Sequence, residues 1–88
     1  MLECSVIILN WNGEAMLRRY LPSVIQYTQL EGVEIVVADN GSTDASLEFL
    51  HSQPVRIIEL GENLGFAEGY NRAIEQVESK YVVLLNSD

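Results

Sequence analysis

Oxygen-bearing side chains follow the apolar runs of this chain in four places: Asn10-Trp11-Asn12, Asp39-Asn40-Gly41-Ser42-Thr43-Asp44, Glu62-Asn63 and Asn86-Ser87-Asp88. Asp39 comes directly after Val36-Val37-Ala38. Its carboxylate can accept hydrogen bonds from a base N–H or a ribose hydroxyl, or from the amides of the turn that follows it. Asp44 suits the start of a helix, where a carboxylate satisfies free amides, and that role is compatible with facing a ligand. Asn86 and Asp88 stand two residues apart, so in an extended segment both point to one side. Such an oxygen pair can hold Mg²⁺ or Mn²⁺ together with diphosphate oxygens and water. Trp11 can stack on a base or pack a helix against a sheet.

The elements that must position these residues are read from periodicity. Ser5–Leu9, Glu34–Ala38, Val55–Leu60 and Tyr81–Leu85 are short runs rich in Val, Ile and Leu, suited to strands covered on both faces. Between them, Glu14–Tyr27, Ala45–His51 and Phe66–Val77 have helical character. The first helix is expected to bend or divide at Pro22. The order β-α-β-α-β-α-β predicts a Rossmann-like, three-layer α/β/α unit of four parallel strands with right-handed crossovers, in the order 3-2-1-4. Ligands of such sheets bind beyond the carboxyl ends of the strands, at the point where the order reverses. All four polar segments fall at that edge.

Composition narrows the function classes. Thirteen acidic residues against five basic ones give a formal charge of -8, which repels nucleic acid and tolerates a divalent cation. The single cysteine, Cys4, lies in an apolar run and reads as a buried thiol; without a partner it offers no intrachain disulfide and fits a reducing compartment. No apolar run is long enough to cross a bilayer. His51 reads as a helix-end residue and Arg72 as a surface residue, whereas Asn71 can turn toward the cleft. Gly41 is expected where the backbone needs an angle that a side chain resists, with Ser42, Thr43 or Asp44 capping the next helix.

In this order and spacing, Ser5-Val6-Ile7-Ile8-Leu9-Asn10-Trp11-Asn12, Val36-Val37-Ala38-Asp39-Asn40-Gly41-Ser42-Thr43-Asp44, Asn63-Leu64-Gly65-Phe66-Ala67 with Asn71, and Leu84-Leu85-Asn86-Ser87-Asp88 resemble the signatures of glycosyltransferase family 2, a GT-A group that uses nucleotide sugars. The resemblance covers the whole chain, residues 1–88, which reads as a truncated N-terminal nucleotide-sugar-binding part. It implies that Leu9, Trp11, Asp39, Asp44 and Asn71 lie on the nucleotide side, that Asn86 helps position the sugar diphosphate, and that Asp88 binds the metal. Asn86 departs from a strict DxD, a form shared with rhamnosyltransferase-like members.

The implied reaction moves a sugar from a UDP- or dTDP-sugar to a hydroxyl acceptor with inversion, as in cell-envelope polysaccharide biosynthesis. The resemblance places the catalytic base and acceptor pocket after Asp88, so the isolated piece is expected to be inactive. It also implies a cytoplasmic setting, at the inner face of the membrane where other parts of a parent chain reach it. An edge strand left open at Tyr81–Leu85 invites self-association. A nucleotidyltransferase would need a basic cluster after the first strand, where Trp11-Asn12-Gly13-Glu14 has none, and a dinucleotide-binding enzyme would need the GxGxxG turn that is absent. A non-catalytic nucleotide-binding or interaction module is the remaining alternative, and binding without turnover would be its sign.

Overall fold

The computed structural model describes residues 2–86. Seven elements alternate along the chain: β1 (Cys4–Asn10), α1 (Glu14–Tyr27), β2 (Val33–Asp39), α2 (Ser46–His51), β3 (Arg56–Glu59), α3 (Phe66–Glu75) and β4 (Tyr81–Asn86). The four strands form one sheet in the order β3-β2-β1-β4, and every pairing is parallel. The architecture and strand order are those expected from the alternation of apolar runs and helices.

Alternation along the strands divides the core between the two faces of the sheet. Ile7, Val36, Ala38 and Ile58 meet Tyr70 and Ala73 of α3 on one side. Ile8, Ile35 and Val37 meet Leu17 and Leu21 of α1 and Leu50 of α2 on the other. Each Val, Leu or Ile among them, fully buried, contributes about 1.5–3 kcal/mol. Because β1 and β2 are covered on both faces, their sequences are apolar residue after residue.

Some boundaries differ from expectation. α1 passes through Pro22 as one helix. Pro22 lies on the exposed side of α1, where water can serve the carbonyl that loses its intrahelical donor. α3 stops at Glu75 rather than Val77, and β3 is reduced to four residues at the sheet margin. Cys4 is half-buried, because it opens β1 at the end of the sheet away from the core.

β1 and β2 are central, and their register brings their last residues side by side: Asn10 faces Asp39 across the pair. Among the described residues, β4 hydrogen-bonds to β1 on one side only. Tyr81, Val82, Val83, Leu84 and Leu85 are each 36–60% exposed. An open apolar edge is a template for further strand pairing. The chain is expected to associate with increasing concentration in light scattering, and Val83→Lys, which places a charge on that edge, is expected to return it to a monomer. A monomeric wild-type chain at high concentration would contradict this.

Candidate functional site

The strand ends are joined by one hydrogen-bond network, and Ser42 is its hub. Its Oγ donates to Asp39 Oδ1 at 2.7 Å and accepts from the Asn12 amide at 2.9 Å and from Asn10 Nδ2 at 3.1 Å. That uses one donor and two lone pairs, the full capacity of a hydroxyl. Asp39 Oδ1 also receives Asn10 Nδ2 at 3.0 Å, while Oδ2 receives the Ser42 amide at 3.0 Å. Asn10 and Asp39 are 0% and 2% exposed, so these bonds replace the water both groups lost on folding.

The backbone permits this arrangement at two glycines. Gly41 has φ +78°, and a Cβ there would lie 2.6 Å from Cα and C of Glu62. Gly13 donates its amide to Asn10 Oδ1 at 3.2 Å, and a Cβ at this residue would stand 2.6 Å from the same oxygen. Side chains at either position would push the loops apart.

A second layer of bonds fixes the starts of α1 and α2. Asn12 Oδ1 accepts from the amides of Thr43 at 2.6 Å and Asp44 at 3.2 Å. Asp44 spans both helices: Oδ2 accepts the Glu14 amide at 3.1 Å and Oδ1 the Ser46 amide at 2.9 Å. Glu14 replies with Oε1 to the Ala45 amide at 3.3 Å. Asp44 therefore serves two helix starts, although the residue preceding α2 is Ala45, which has no side-chain cap. Of Ser42, Thr43 and Asp44, the residues expected to cap the next helix, Asp44 does so through its bond to the Ser46 amide, whereas Ser42 and Thr43 are engaged with Asn10, Asn12 and Asp39.

Partial desolvation raises the pKa of Asp44, but the bonds to its carboxylate outweigh that effect and hold it below the ordinary aspartate value. They come from the amides of Ser46, Glu14 and Asp44 itself, and the Ser46 hydroxyl favours the charged form from nearby without reaching hydrogen-bond geometry.

The remaining candidates are arranged around this network. Trp11 is 54% exposed at the rim, so its indole is not a core residue. Leu9 packs against the α3-side core, and its side chain lies beneath Gly69 of α3. Asn71 is exposed on α3, and among the described residues no hydrogen bond joins it to Asp39 or Asp44. Arg72 pairs with Glu68 on the outside of the same helix at 3.2 Å. His51 is the exposed last residue of α2. Asn86 ends β4 opposite Leu9 in register, which puts the backbone of the Asn86 segment next to the end of β1. Ser87 and Asp88 lie outside the described residues, and no group of three or more His, Cys, Asp or Glu side chains among the described residues could hold a metal.

Reading residues singly missed Ser42 as the hub, Asn10 as the partner of Asp39, and Asn40. The signal lay in the parallel register, since two polar residues that end adjacent buried strands face each other.

With this edge in view, comparison with known proteins gives the class: the glycosyl transferase family 2 profile matches residues 5–88, and the chain belongs to that family. Among individual relatives, it is 29% identical over 92 residues to a teichoic acid poly(glycerol phosphate) polymerase of Staphylococcus epidermidis, covering 98% of this chain and 13% of the relative. It superposes on S. aureus TarS in complex with UDP-GlcNAc with a TM-score of 0.86 and 27% identity, covering 99% of this chain and 27% of that one. A glucosyl-3-phosphoglycerate synthase of Mycobacterium tuberculosis, solved with Mn²⁺, UDP and glucosyl-3-phosphoglycerate, matches with a TM-score of 0.80 and 26% identity, over 99% of this chain and 34% of that one. The chain thus spans about a third or less of each of these proteins.

Two outcomes are expected. Asp44→Asn keeps one acceptor where two amides need one each, so it should lower stability at neutral pH. Because the folded pKa is depressed, the contribution of the charged group is present above the ordinary carboxylate range of about 4 and is lost as pH falls through the lower folded value. Denaturant midpoints of the two proteins should therefore converge on acidification, and a constant gap would contradict the assignment. Ser42→Ala should cost about 1–3 kcal/mol in chemical denaturation, because it strands the Asn12 amide and one hydrogen of Asn10 Nδ2.

Proposed function

We propose that the carboxyl edge of this sheet is the nucleotide half of a sugar-nucleotide site, and that the whole protein transfers a sugar from a UDP- or dTDP-sugar to a hydroxyl acceptor. The observation that carries this reading is the buried Asp39 at the end of β2, held in one orientation by Asn10 and Ser42 while its Oδ2 accepts a single bond from within the chain. A second lone pair on that oxygen suits the N–H of a base or a ribose hydroxyl. Trp11 at the rim offers a face on which a base stacks. Leu9, Asp44 and Asn71 belong to the same nucleotide side in this reading, Asp44 by holding the two helix starts in place.

The Asn86 segment, next to Leu9, takes the sugar diphosphate, and Asp88 would hold Mg²⁺ or Mn²⁺. A bound divalent cation supplies positive charge to the departing diphosphate. The bond between the anomeric carbon and the diphosphate oxygen breaks with its electron pair on that oxygen. The acceptor oxygen bonds to the same carbon from the opposite face, and its proton passes to a carboxylate outside residues 1–88. Family 2 membership and the UDP and UDP-GlcNAc complexes of the similar structures support the donor class. The teichoic acid polymerase relative supports an acceptor in a cell-envelope polymer. Asn in place of the first Asp of a DxD supports testing dTDP beside UDP, as for a rhamnosyltransferase-like donor.

Calorimetric titration of the chain with UDP and with dTDP, with and without Mn²⁺, tests the reading. One nucleotide is expected to bind, to bind more tightly with Mn²⁺, and to lose at least about tenfold in affinity, or about 1.4 kcal/mol, in Asp39→Ala. A folded chain that binds neither nucleotide would overturn the half-site.

A further inference from the structure

Asn40 follows Asp39, is 2% exposed, and takes no part in the network around Ser42. Its side chain instead reaches the β3–α3 loop. Nδ2 donates to Asn63 Oδ1 at 3.1 Å and to the Gly65 carbonyl at 3.2 Å, and Oδ1 accepts the Leu64 amide at 2.9 Å. Asn63 Oδ1 also accepts the Gly65 amide at 2.9 Å. The Asn40 amide donates to the Asn10 carbonyl at 2.7 Å, so this one residue joins the end of β1 to the loop before α3. Only a carboxamide offers two donors and an acceptor on a side chain of this size.

Sterics do not hold the ends of this loop. Gly61 and Gly65 both have positive φ, and a Cβ at either would meet nothing within 4 Å. Glu62 and Asn63 are exposed between them. The loop does press on the Asn40 segment where Gly41 meets the backbone of Glu62, and α3 comes within reach of the Asn40 amide at Gly69. Farther along, α3 is pinned to β4, where the Tyr70 hydroxyl donates to the Leu85 carbonyl at 2.7 Å.

We propose that Asn40 is a positioning residue that latches the β3–α3 loop, and with it the start of α3 at Phe66, against the side of the edge where Asp39 meets the nucleotide. The proposal rests on the nucleotide reading of that edge. With the latch closed, the ligand meets an ordered loop and does not have to order it on binding.

Asn40→Asp tests this with little change of shape: it keeps an acceptor for Leu64 and removes both donations. Amide hydrogen exchange without ligand and calorimetric titration with UDP are measured on the wild-type chain, on Asn40→Asp, and on Asn63→Ala, which alters only an exposed partner and keeps the test available if the first variant does not fold. Exchange at Leu64 and Gly65 is expected to quicken at least tenfold while the central amides of β2 keep their protection, and UDP affinity of the folded variants is expected to fall at least tenfold. Unchanged exchange would overturn the latch, and quickened exchange with unchanged affinity would overturn its role in binding. If the wild-type chain does not bind UDP the same titrations are made with dTDP, and absence of binding of both would overturn the nucleotide reading and the positioning role together, while exchange at Leu64 and Gly65 would still decide whether the latch exists.

Discussion

The bond network between the ends of β1 and β2 is the constraint on which the edge depends. A carboxylate and a carboxamide as deeply buried as Asp39 and Asn10 are costly unless their hydrogen bonds are made, and the Ser42 hydroxyl completes the set. Once that requirement is met, little freedom is left nearby. Gly41 must turn with positive φ to bring Ser42 back, Asn12 must meet Thr43 and Asp44, and α1 and α2 must start where those residues leave them. The loops at this edge are therefore set by polar bonds, while the layers beneath them are set by apolar packing.

These two kinds of constraint explain how much could be read from the sequence. Strand order, parallel pairing and the helix at Glu14–Tyr27 follow from apolar periodicity, which is local and redundant: many residues signal the same element. Ends of elements are less legible because they depend on single contacts. α2 takes its first-turn bond from Asp44 and none from Ala45 directly before it, because Ser42 and Thr43 are engaged elsewhere, a competition visible only when the loops are side by side. Pro22 shows the converse, since a residue that opposes a helix is tolerated on an exposed face of one that packing already holds.

The candidate site was legible as a list of polar residues but not as a division of labour. Asp39 and Asp44 carry the same functional group five residues apart, and the structure separates them sharply. Asp39 is sealed in at the strand end with donors from two side chains and one amide; Asp44 lies at the surface and holds two helix starts. Asn10, Asn12 and Asn40 are likewise similar in sequence yet connect β1 to β2, α1 to α2, and β2 to the α3 loop. Which partner an asparagine takes depends on its loop's neighbours across the sheet, which periodicity along one strand does not encode.

The placement of β1 at the centre of the sheet also bears on the order in which the chain can be assembled. As the polypeptide leaves the ribosome, β1 appears first and finds β2 next, but its other edge stays open until Tyr81 arrives to pair beside Cys4. During that interval α3 has already been made, with Tyr70 seeking the carbonyl of a strand not yet present. Contacts so distant along the chain form late and slowly. β4, made after the other three strands, thus closes the open side of β1 and one side of the polar edge in the same step.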